Sequence, residues 1–117
     1  MGDRGQVLIE DLGVYLYTHW SASDLVETTR RALAKKWRWD DPEYLARIIF
    51  DEMKGDDRSE TGFGIGTQKH EDVWRLVLVN CSTKTVTVQK CNFETEPKTE
   101  KSYTFEEFIS DELEVGM

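Results

Sequence analysis

Tyr15, Tyr17 and His19 occupy alternate positions in the run Val14-Tyr15-Leu16-Tyr17-Thr18-His19-Trp20. Alternate side chains of an extended strand point to one face, so these three rings share a surface. Tyrosine offers apolar area with a polar tip, which suits stacking on a planar ligand or docking a protein partner. His19 adds an imidazole that could contact a ligand, cap the following helix or pack on Tyr17. A catalytic role would require a serine or cysteine nucleophile beside it and a carboxylate to orient it. No G-x-S-x-G elbow is present. His19 and His70 are the only histidines, too few for a metal site. The tyrosine face is therefore either an exposed binding platform or a second core beneath another layer.

Trp37-Arg38-Trp39 interleaves aromatic and basic residues, as single-strand nucleic-acid binders do. The structural reading is that Trp37 anchors a helix end and Trp39 packs across the following turn. Gly62-Phe63-Gly64-Ile65-Gly66 resembles a phosphate loop only superficially. Its spacing is G-x-G-x-G and no Lys-Ser/Thr follows, so it reads as a glycine-rich strand apposed to another backbone. Asp40-Asp41, Asp51-Glu52 and Asp56-Asp57 lack the calcium-loop pattern. Cys81 and Cys91 show no zinc spacing, and their hairpin places them out of register, so two free thiols are expected.

The chain of 117 residues fits one domain, and 38% hydrophobic residues suffice for a core. There is no long apolar run and no secretory signal, which points to the cytoplasm. With 23 acidic and 15 basic residues the net charge is −8, which repels nucleic acid and anionic membranes. The basic residues gather at Arg30, Arg31, Lys35, Lys36 and Arg38, and the acids crowd the C-terminal end.

These residues need elements to position them. Val7 to Glu10 and Val14 to Thr18 read as paired strands. Val7, Ile9, Val14, Leu16, Thr18 and Trp20 then lie on the core face, with Leu8, Tyr15, Tyr17, His19, Gln6 and Arg4 opposite. Ser21 or Ser23 caps a helix that runs to about Lys36. Asp41 before Pro42 starts a second helix with the stripe Tyr44, Leu45, Ile48, Ile49 and Met53, and Gly55 stops it. Residues 56–60 are a polar loop, and Thr61 to Thr67 is the glycine strand. Trp74 to Cys81 and Thr85 to Lys90 form a hairpin. Asn92 to Lys101 reads as a polar loop. Thr104 and Glu107 begin a short last helix with a capping box, and residues 111–117 are frayed. The order ββααβββα predicts a single α+β domain over residues 1–117. Its architecture is an antiparallel sheet of about five strands with two main helices on one face.

The segments Met1 to Val7, Val14 to Trp20, Asp41 to Phe50 and Thr61 to Gly64 together resemble a group of small microbial and phage-associated proteins sharing a VYLYTHW-type strand motif. That resemblance implies one compact fold and supplies no catalytic residues. The residues predict a non-enzymatic binding or regulatory protein, for which an inhibitor of a host protein is one form. Its surface would combine Arg4, Tyr15, Tyr17 and His19 with Trp37, Arg38 and Trp39. Its partner would be a protein or a second copy, paired through an edge strand or the tyrosine face. The alternative is a small-molecule or nucleotide-binding protein, enzymatic or not, with Tyr17, His19 and Arg38 lining a pocket. No cofactor or metal is indicated by either reading.

Overall fold

The computed structural model describes residues 3–55, 62–92 and 95–110. The expected polar loop at 56–60, Thr61 and the segment 111–117 expected to fray lie outside the described residues. Among the described residues the sheet has six strands: β1 (Gly5–Ile9), β2 (Val14–Thr18), β3 (Phe63–Gly66), β4 (Arg75–Asn80), β5 (Thr85–Asn92) and β6 (Thr95–Thr104). Their spatial order is β3-β2-β1-β4-β5-β6. Two main helices, α1 (Leu25–Ala34) and α2 (Pro42–Lys54), and a short α3 (Phe105–Phe108) complete the α+β domain.

All neighbouring strands are antiparallel except β1 and β4, which run parallel with Val7 beside Val77 and Ile9 beside Val79. The extra strand relative to the sequence expectation is β6, which falls largely where a polar loop is predicted. Apart from Pro97 and Tyr103 its residues are Thr, Glu, Lys and Ser, as suits an edge strand with one side turned to solvent. Glycine strand β3 is shorter than expected and the first hairpin strand begins at Arg75.

The core forms where the two helices lie on one face of the sheet. Val7, Ile9, Leu16, Val77, Val79, Val86 and Val88 meet Leu25, Leu33, Leu45 and Ile49 there, all under 2% exposed. α2 starts as its sequence dictates: Asp41 accepts a hydrogen bond from the Tyr44 N–H, and Pro42 supplies a fixed φ at the first position. Gly55 ends it at φ +53°, a conformation that favours glycine. Thr104 and Glu107 form the predicted capping box of α3.

The start of α1 differs from expectation. The expected cap by Ser21 or Ser23 is not made: neither Ser21 nor Asp24, at the two N-cap positions, makes a side-chain cap, and Ser23 lies inside the lead-in turn. Instead a 3-10 turn at Ala22–Asp24 leads in, and Asp3 takes the Ser23 N–H at 2.8 Å together with its hydroxyl. α1 also stops at Ala34, two residues short of Lys36, which turns away at φ +59°.

Candidate functional site

Gln6, Leu8, Tyr15 and Tyr17 share the sheet face away from the helices, as expected, and the observed register places Gln6 beside Tyr17 and Leu8 beside Tyr15. β3 adds Gly64 beside Tyr17 and Gly66 beside Tyr15. Glycine at those two positions leaves the flanks of both tyrosine rings unobstructed on that side. The segment between β3 and β4 then folds back over part of this face. Gln6 anchors it: its amide donates to the Gln68 carbonyl at 3.2 Å and accepts from the His70 N–H at 2.9 Å. Gln6 is buried as a result, and so is Leu76 in the same row. Leu8, Tyr15 and Leu78 in the next row stay half-buried. The tyrosine face is thus part platform and part covered layer.

The covering segment brings the two histidines together. His70 stacks on Tyr17 with centroids 4.4 Å apart, and the Tyr17 hydroxyl lies 3.0 Å from His19 Nδ1. His19 in turn meets Trp20 edge-on at 5.6 Å, and Trp20 meets Phe63 edge-on at 6.2 Å. Arg4 Nη1 pairs with Asp72 at 2.6 Å beside this cluster. Burial pushes the Tyr17 hydroxyl pKa up and Asp72 adds to it, while Arg4 opposes. Tyr17 therefore remains a neutral phenol, able to donate to His19.

Trp20 corrects the facing expectation. It lies past the end of β2, so strand alternation no longer governs it, and it is 47% exposed rather than in the core. His70 is the site residue that sequence reasoning missed. It stands in a polar turn fifty-three residues beyond Tyr17, and no local pattern links the two.

The second group of candidates sits elsewhere. Trp39 donates to the Leu33 carbonyl at 3.0 Å and packs edge-on against Phe105, so it is a structural residue. Phe105 N–H bonds the Lys84 carbonyl, at the sheet end where β1 finishes. His19 lies beyond the opposite end of the strands. Trp37 is 60% exposed with Lys35 over its ring, and Arg38 lies on Tyr44 at 4.5 Å. Arg38 and Trp37 therefore do not share a surface with Tyr17 and His19, and the combined surface and the pocket of Tyr17, His19 and Arg38 are not formed.

The basic helix is largely answered within the fold. Arg31 and Lys35 both reach Glu52 at 3.1 Å, and Arg30 pairs with Glu27. Hydrogen bonding from Lys35 holds the Glu52 carboxyl below its ordinary pKa against the opposing effect of burial.

A shallow groove of about 700 Å³ runs along residues 66–72, beside the Tyr17–His70 stack. Cys81, in the turn just past β4, and Cys91, near the end of β5, are buried free thiols. Burial, with Asp11 adding to it, pushes the Cys81 thiol up to about 11, and burial raises Cys91 as well. Neither is a thiolate near neutral pH, so neither is poised as a nucleophile. Among the described residues no three His, Cys, Asp or Glu side chains gather as a metal site, and no helix is long and apolar enough to cross a membrane. What the cluster offers is a rigid aromatic and imidazole surface with a neighbouring ion pair. No protein-family model, curated protein or solved structure matches the chain.

Proposed function

We propose that the chain is a small, non-enzymatic binding protein of regulatory type that docks a protein partner in the cytoplasm. The docking corner consists of Tyr17, His19, Trp20 and His70, flanked by Arg4 and Tyr15. Trp20 carries this reading: it is 47% exposed, yet held edge-on by both His19 and Phe63. A large ring already fixed in place loses little freedom on contact, and tryptophan and tyrosine supply much of the energy at interface centres. Inhibition of a host protein is one form such regulation could take, in keeping with the chain's small size and net charge of −8.

A small planar ligand is the second reading, favoured by the groove along residues 66–72 where His70 stacks on Tyr17. One comparison separates the two. Tagged wild-type protein and the Trp20→Ala and Tyr17→Ala variants are used as bait in lysate of the native host, with native mass spectrometry of the purified chain in parallel. The docking reading expects a protein retained by the wild type and lost with both variants. Identical profiles for all three baits refute it, and a co-purifying small molecule lost with Tyr17→Ala favours the second reading.

A further inference from the structure

The two edges of the sheet are built differently. β6 carries Pro97, Lys98, Glu100 and Lys101, and its register with β5 slips at Val88/Gln89 and at Lys90/Asn92. Proline, charge and irregular register all discourage an edge from pairing with another chain. β3 is the other edge, with the sequence Phe-Gly-Ile-Gly and no charge. Its Ile65 side chain is 66% exposed.

The outward groups of β3 follow from its pairing with β2. The His19 N–H donates to the Gly62 carbonyl. In an antiparallel ladder hydrogen-bonded pairs alternate with non-bonded ones. Tyr17–Gly64 and Tyr15–Gly66 are therefore the bonded pairs, and Thr18–Phe63 and Leu16–Ile65 lie between them. The N–H and C=O groups of Phe63 and Ile65 consequently point away from β2, toward an edge along which no other described strand pairs.

We infer that β3 pairs antiparallel with β3 of a second copy of the chain, about a two-fold axis at Gly64, joining two sheets into one. The strand is self-complementary in this register. Phe63 of each copy exchanges both main-chain hydrogen bonds with Ile65 of the other, which satisfies every outward group identified above. The same register sets an aromatic side chain beside a β-branched one twice, a favourable cross-strand pair. Gly64 meets Gly64 on the axis with no side chain between, and the space beside it is open. Charge selects this edge as well. Two chains of net charge −8 repel over most of their surfaces, and β3 brings no charge to the contact. The inference uses the main-chain edge of β3 and not the Tyr17 stack, although Phe63 also holds Trp20 of the docking corner.

Sedimentation velocity of the full chain over a wide concentration range tests it. The expected result is a shift from monomer to twice the monomer mass, with the dimer fraction rising as added salt screens the repulsion. Ile65→Pro removes one outward N–H and no bond to β2, so it is expected to sediment as a monomer throughout with unchanged circular dichroism. Gly64→Cys tests the register. Facing α-carbons in a non-bonded pair lie about 4.5 Å apart, within disulfide reach. Mild oxidation is expected to cross-link Gly64→Cys and leave Ile65→Cys uncross-linked, because the latter residues sit two positions out of register. The native cysteines are buried and do not compete. A wild-type chain that stays monomeric at every concentration overturns the inference. So does a dimer indifferent to Ile65→Pro, or cross-linking at position 65 in place of 64. If the monomer instead binds an extended peptide along this edge, the edge serves a different partner.

Discussion

Gly5→Ala is expected to destabilise the protein although it adds only one methyl group. Gly5 opens β1 where the 3-10 turn crosses it. A β-carbon there would stand 2.9 Å from Ala22 Cβ, 3.0 Å from the Arg75 carbonyl oxygen and 3.1 Å from Leu25 Cδ2. Leu25 can yield by rotating its side chain. The other two cannot: the Ala22 N–H is bonded to the Asp3 carbonyl, and Arg75 is held in the β1–β4 ladder. Such overpacking costs about 1–3 kcal/mol, and the stiffer unfolded chain of the alanine variant returns about 0.4–1 kcal/mol. The net loss is roughly 1–2 kcal/mol, or a melting point lower by about 4–8 °C. Ala22→Gly removes one of the two rigid clashes, so the double variant should recover about 1 kcal/mol relative to the sum of the single changes. Urea unfolding of the wild type, both single variants and the double variant gives the cycle. A Gly5→Ala midpoint equal to wild type, or strictly additive changes, would refute the reasoning, because either requires the 3-10 turn to move freely.

Further outcomes follow from the same contacts. Trp39→Ala should cost roughly 2–3 kcal/mol through the loss of its packing on Phe105 and its bond to Leu33, whereas Trp37→Ala should stay within about 0.5 kcal/mol, as read by chemical denaturation. In Asp3 and Asp11 burial works to raise the pKa, but hydrogen bonds from Ser23 and Trp74 to Asp3, and from Ser82 and Cys81 to Asp11, outweigh it. Both carboxyls are depressed on folding, so their stabilisation is present above the unfolded pKa of about 3.9 and is lost as pH falls through the lower folded values. Asp3→Asn with Asp11→Asn should thus be less stable than wild type at pH 7 and should lose less on acidification, measured by urea midpoints at pH 7 and at about pH 3. The Cys81 thiol, raised to about 11, contributes stability that is present below its ordinary value and lost as pH rises through about 11. A thiol reagent at pH 8 should therefore label Cys81 and Cys91 only as fast as the protein unfolds, and prompt labelling would contradict their burial.

The elements most legible in the sequence were those encoded by neighbours. Asp41-Pro42 and Thr104 with Glu107 are complete within one helical turn, and both form as read. The alternation of Val14 to Thr18 correctly divided β2 between core and open face, because a strand's facing depends only on period two. Features set by distant partners were not legible. The parallel β1–β4 pair joins residues about seventy positions apart, and nothing local distinguishes it from an antiparallel one. β6 lacks alternation because only part of it covers the core, through Tyr103. At the site, the grouping of Tyr17 with His19 was visible, while His70 and the placement of Arg38 on Tyr44 depended on how loops return.

The central position of β1 has a bearing on how the chain acquires its structure. β4, β5 and β6 follow one another as a meander, and β1, β2 and the helices make a second group of sequence-near contacts. The β1–β4 seam joins the two groups, and its closure orders a loop of more than sixty residues. Folding should accordingly proceed as two locally formed halves whose docking along this seam is the slow event. Substitutions at Val7 or Val77 would then slow folding, whereas truncation of β6 side chains would mainly speed unfolding.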